Sequence, residues 1–151
     1  MKRIALILAG VFMVGIMNAQ TISFNPRTGD VEMDGFLKDI STKAKDNINN
    51  FVSDAVATFN IAKDKVESLI KIMDPGDVFM TLQTAQIVNK PVDDVKTAYL
   101  KNKDKGWGEI AKEMGIKPGS KEFHALKGKV KGKKDKGEKG NGNGKGKGKK
   151  K

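Results

Sequence analysis

The chain has 151 residues, a formal charge of +11 and no cysteine. Lack of cysteine excludes a disulfide staple, a thiolate metal site, a cysteine nucleophile and a lipid-modified export signal. Once an export signal and a Lys/Gly-rich end are set aside, the remaining chain suffices for one small core, which argues against a multidomain enzyme. The charge is unevenly placed: residues 127–151 hold 12 Lys against Asp135 and Glu138, whereas residues 20–126 hold 15 basic and 16 acidic groups. The core is therefore nearly neutral, and the positive field belongs to the C-terminal segment.

Residues 1–19 read as a Sec-type signal peptide. Lys2 and Arg3 supply the positive end, Ile4 to Ile16 is an apolar run interrupted only by Gly10 and Gly15, and Ala19 is the small residue at the cleavage position. The run is too short for the roughly 20 residues of a spanning helix, although Met17 is a poor residue two before Ala19 and leaves an uncleaved anchor as the alternative. A mature chain would begin at Gln20, which can cyclise. The expected location is the periplasm or the cell exterior.

Residues 20–45 form an N-terminal segment. Ile22-Ser23-Phe24 and Asp30-Val31-Glu32-Met33 flank the turn Asn25-Pro26-Arg27-Thr28-Gly29, a pattern that predicts at most a short β-hairpin. From Phe36 to Phe59 apolar residues recur at spacings of three and four, predicting one amphipathic helix or two in succession. Residues 46–127 read as a helical domain with an internal repeat. Val56, Phe59, Asn60, Ile61, Val66 and Leu69 are echoed 29 residues later by Ala85, Val88, Asn89, Lys90, Val95 and Ala98. Asn60, Asn89 and, in a third unit, Gly115 tolerate the left-handed conformation that ends one helix and lets the next cross it. The third unit runs from Trp107 through Gly115 and Pro118-Gly119 to Ser120, which can cap a last helix reaching Leu126. The expected fold is all-α: a small bundle of about three helix-turn-helix-like pairs, with the short hairpin before it and a disordered Lys/Gly tail over 128–151.

That tail is the leading candidate site. It contains Lys129, Lys131, Lys133, Lys134, Lys136, Lys139, Lys145, Lys147, Lys149, Lys150 and Lys151, spaced largely by glycine, with Val130 its single apolar residue. Such a segment cannot bury enough apolar area to order itself. A polycation gains affinity for nucleic acid, anionic polysaccharide or an anionic membrane surface by counterion release, so its binding weakens steeply with salt. Without arginine or aromatics it has neither bidentate forks nor stacking platforms, and it is expected to ignore base sequence. The bland alternative is a solubilising tail, with the helical core acting as a protein-interaction module.

Other candidates are weaker. Trp107 between Gly106 and Gly108, with Lys112, Lys117 and Lys121, is a second candidate interaction surface, set against plain core packing for the indole. Sequence-specific DNA reading by a helix-turn-helix is disfavoured by Asp64, Asp93 and Asp94 in the first turns of the would-be recognition helices. Asp30, Glu32 and Asp34 are spaced as in the first half of a calcium loop, but Ser41 stands where the twelfth position needs a bidentate Glu. His124 is the sole histidine, and no nucleophile constellation or phosphate loop has local support. No catalytic residue, metal or cofactor is expected, and the protein reads as a non-enzyme.

The segments Met73-Asp74-Pro75-Gly76-Asp77-Val78-Phe79-Met80, Lys90-Pro91-Val92-Asp93-Asp94-Val95, Lys105-Gly106-Trp107-Gly108-Glu109-Ile110-Ala111-Lys112 and Gly115-Ile116-Lys117-Pro118-Gly119-Ser120-Lys121-Glu122-Phe123-His124-Ala125-Leu126-Lys127 resemble those of a family of small exported bacterial proteins of unknown function. The likeness covers about residues 50–127. It implies export, an all-helical core and a Lys/Gly-rich C-terminus, and it transfers no site residues.

Overall fold

The computed structural model describes residues 24–128. The expected signal peptide over residues 1–19, residues 20–23 and the basic segment from Lys129 onward lie outside the described residues. Within them the fold is an all-helical bundle of seven helices: α1 (Val31–Asp46), α2 (Ile48–Phe59), α3 (Lys63–Ile70), α4 (Pro75–Val88), α5 (Val92–Asn102), α6 (Trp107–Glu113) and α7, residues 121–128.

No strand occurs among the described residues, so the described half of the expected hairpin is corrected. Residues 31–33 are instead the first turn of α1. The reason is capping: the Asp30 carboxylate accepts from the amides of Glu32 and Met33, satisfying donors that a new helix leaves open. Asp34 locks the entry from the other side, accepting from the Thr28 amide at 2.8 Å and its hydroxyl at 2.7 Å. The long amphipathic stretch divides into two helices at Asn47, which ends α1 and caps α2 by accepting from the Asn50 amide.

The helix pairs occur as the repeat predicts. Asn60 (φ 49°) separates α2 from α3, Asn89 (φ 52°) separates α4 from α5, and Gly115 (φ 94°) follows α6. Ser120 then opens α7 by accepting from the Phe123 amide. Each unit thus uses one left-handed residue to reverse direction within a few positions.

Unlike the others, α4 has no solvent face over most of its length: every residue from Pro75 to Ala85 is buried. It runs through the centre of the bundle and packs against α1, α2, α3 and α5. Met33 and Leu37 of α1, Val66 and Leu69 of α3, and Val95 of α5 close around it, each of them almost wholly buried. Burial of one such side chain contributes about 1.5–3 kcal/mol. The α1–α4 crossing is tight at Gly76, where an added Cβ would lie 2.6 Å from the Phe24 ring, 2.7 Å from Ser41 Oγ and 2.8 Å from the Leu37 carbonyl. Only glycine permits that approach.

Among the described residues, no helix is long and apolar enough to cross a membrane.

Candidate functional site

The lysines assigned to polyanion binding, Lys129 through Lys151, lie outside the described residues, but the root of that segment is in view. It leaves α7, which is anchored by Leu126 in the core. Lys127, the first lysine of the C-terminal basic run, belongs to this helix and not to the tail. Its ammonium meets Asp30 at 2.5 Å and Glu32 at 3.9 Å, joining residues 97 apart in the chain. This hydrogen bond from Lys127, aided by the α1 amides, holds the Asp30 carboxyl below its ordinary range, and the same contact raises the Lys127 pKa. The basic segment therefore starts beside the N-terminus of α1.

Trp107 is 1% exposed and offers no platform at the surface. Of its two readings, core packing is the one the geometry gives. Its indole Nε1 donates to Asp77 Oδ1 at 2.7 Å, while the Tyr99 hydroxyl donates to Oδ2 at 2.8 Å. Asp77 stands in the first turn of α4, where the positive helix end favours a carboxylate. Burial raises its pKa against the two hydrogen bonds, and burial together with the facing carboxylate pushes the Tyr99 phenol upward. The arrangement ties α4, α5 and α6 together with one buried acid.

The glycines beside Trp107 serve the N-terminal segment. The amides of Trp107 and Gly108 donate to the carbonyls of Pro26 (2.9 Å) and Arg27 (3.0 Å), so residues 24–28 strap across the start of α6. Gly106 has φ 89°, and a Cβ there would sit 2.6 Å from that of Arg27. The Arg27 guanidinium donates to the carbonyls of Lys103 and Asp104, placing a cation at the C-terminal end of α5. Gly-Trp-Gly is thus a docking place for the strap.

The remaining candidates are mostly occupied in local contacts. Lys112 pairs with Glu109, while Lys117 and Lys121 are exposed on the loop before α7 and on its first turn. Asp93 is shared by Lys65 (2.7 Å) and Lys96 (2.8 Å), whose hydrogen bonds bring its pKa down to about 2. The beginnings of α3 and α5, the would-be recognition helices, are thereby pinned to each other. Asp30 caps α1 and Asp34 holds Thr28, so these two carboxylates are committed to helix entry. Among the described residues, no group of three or more His, Asp or Glu is placed to hold a metal ion. His124 is exposed on α7, beside the Phe123 ring.

Sequence reasoning missed a groove of about 350 Å³ between α1 and α2. Its walls are two apolar rails, Phe36, Ile40 and Ala44 on α1 and Phe51, Ala55 and Phe59 on α2, with Phe79 of α4 beneath. The Phe79 ring meets those of Phe36 and Phe59 edge-on, each at 5.6 Å between centroids. At the corner where the two helices join, the lining turns polar, with Lys43, Asn47 and Asn50, and Asp54 follows a turn farther along α2. The spacing of four along each helix was legible, but an amphipathic stripe does not reveal whether its partners close over it.

No protein-family profile, curated protein or solved structure matches the chain.

Proposed function

We propose that the protein is an exported, non-enzymatic helical protein whose Lys/Gly-rich C-terminal segment binds polyanions, extracellular nucleic acid or acidic envelope polymers, without sequence specificity. The carrying observation is the charge division: 15 basic against 16 acidic groups over residues 20–126, against 11 Lys and two acids beyond Gly128. Ion pairing within the body supports it. Lys65 and Lys96 meet Asp93, Lys101 meets Glu113, Lys112 meets Glu109 and Lys127 meets Asp30, so much of the body's charge is answered locally. The run after Gly128 is the densest set of cations in the sequence for recruiting phosphate or carboxylate polymers.

The test is removal of residues 129–151. Full-length protein is expected to be retained on heparin and on DNA at low salt, with affinity falling by about 0.9 log units per log unit of salt for each duplex phosphate engaged. The shortened chain should lose retention while keeping its helical circular dichroism. Unchanged retention would reject the proposal in favour of a protein-interaction module whose tail only solubilises. That second reading has the exposed apolar side chains Val31, Ile48, Ile72 and Leu100 in its favour.

A further inference from the structure

The α1–α2 groove is a site of a different kind from the basic segment, and the two stand or fall separately. Its volume of about 350 Å³ lies within the range of small-molecule sites. The bundle has not closed over its aromatic walls: Phe36, Phe51 and Phe59 are only partly buried. Each rail spans eight residue steps, about 12 Å along a helix axis, so the slot is long relative to its volume and suits one extended chain.

Polarity is distributed along the slot in one direction. The Phe36, Phe59 and Phe79 end has no polar lining, whereas the helix corner holds Lys43, Asn47 and Asn50. Asn47 Oδ1 is committed to the Asn50 amide, which leaves the Asn47 side-chain NH2, the Asn50 side chain and the Lys43 ammonium without a protein partner among the described residues. The N-terminal end of α2 lies at the same corner and has no acidic residue in its first turn. Asp54, farther along α2, is the one acid of the lining.

We propose that this groove binds a monocarboxylate with a single unbranched apolar chain of medium length. The carboxylate is received by Lys43 and the side chains of Asn47 and Asn50, and the hydrocarbon lies along the rails to the three phenyl rings. One cation suits one negative charge. A peptide laid in the slot would bring amides to the phenyl end, where the lining has no group to pair them, and unpaired buried amides are costly. A hydrocarbon chain needs no partners there.

The experiment is calorimetric titration of the full chain with decanoate, decanol and decylamine, each below its aggregation concentration, together with the aromatic NMR signals of Phe36, Phe59 and Phe79. Decanoate is expected to bind one to one, tighter than either analogue, and to shift those signals. Lys43→Ala should weaken decanoate by about fivefold while leaving decanol unchanged. Asp54→Asn should tighten decanoate, because the one acid of the lining is gone. Both positions are exposed, so the variants retain the fold, which circular dichroism checks. Decylamine binding as well as decanoate would overturn the proposal. So would decanoate binding that ignores Lys43→Ala and moves no groove signal, since that behaviour belongs to the C-terminal lysines. Absence of saturable decanoate binding would also overturn it.

Discussion

The two sides of α4 are finished differently. Toward α5 and α6 the helix is sealed by a polar tie, with Asp77 receiving the Trp107 indole and the Tyr99 hydroxyl and the 24–28 strap laid over Trp107. Toward α1 and α2, beyond the tight crossing at Gly76, three phenyl rings meet edge to face and a groove remains open above them. Directional hydrogen bonds allow one arrangement and close the interface around it. Aromatic edges are satisfied by many arrangements, so a packed row of rings can still leave usable space.

Truncation separates the two sides most strongly. Trp107→Ala removes the largest fully buried side chain and one of the two donors to Asp77, and should cost about 3–5 kcal/mol in urea unfolding. Phe36→Ala, on the open side, deletes a half-buried ring and should cost about 1 kcal/mol. Equal costs would mean that the groove side is as closely packed as the sealed side.

Next in size is Gly76→Ala. The added methyl meets backbone and two side chains at the α1–α4 crossing, and overpacking of this kind should cost about 1–3 kcal/mol. A neutral effect in thermal unfolding would show that α1 can shift outward, which would make the groove side adjustable down to its tightest point.

The acid of the sealed side has a pH signature. Burial raises the Asp77 pKa in the folded state, so between the ordinary carboxylate value and the raised one the folded state holds the extra proton. Stability contributed at this position therefore falls as pH rises through that window. Asp77→Asn abolishes this component. The stability advantage of the native chain over Asp77→Asn should be greatest below the ordinary carboxylate range and decline with rising pH to a plateau; an advantage that grows with pH would contradict the raised pKa. Asp30 behaves oppositely, its pKa being lowered, so its contribution is lost as pH falls.

The smallest effect is expected at the tail root. Asp30→Asn preserves an N-cap side chain but removes the charge that Lys127 meets, and should cost under about 1 kcal/mol at low salt, less at high salt. A larger, salt-independent loss would show that this contact helps to close the sealed side.

Much of the fold was legible because it is local. The repeat of Asn60 and Asn89, with Gly115 after them, marked the helix pairs, since a left-handed residue ends a helix wherever the rest of the chain lies. The hairpin expectation failed over residues 30–33 because Asp30-Val31-Glu32-Met33 suits an extended piece as well as a capped helix, and the cap decided between them. For the sites less was legible. Trp107 between two glycines fits both an exposed platform and a strap dock, and the separation rests on Pro26 and Arg27, some 80 positions earlier.

By itself the sequence determined the charge division, the absence of thiol chemistry, the helical periodicity and the turns at Asn60, Asn89 and Gly115, all of which depend on composition or on neighbours within a turn or two. Tertiary structure alone decided that α4 is surrounded, that Asp77 finds Tyr99 and Trp107, that Lys127 returns to Asp30, and that the α1–α2 rails stay partly open. The packing of whole helices sets these contacts, whose hydrogen bonds join residues 22 to 97 positions apart, and no local pattern encodes them.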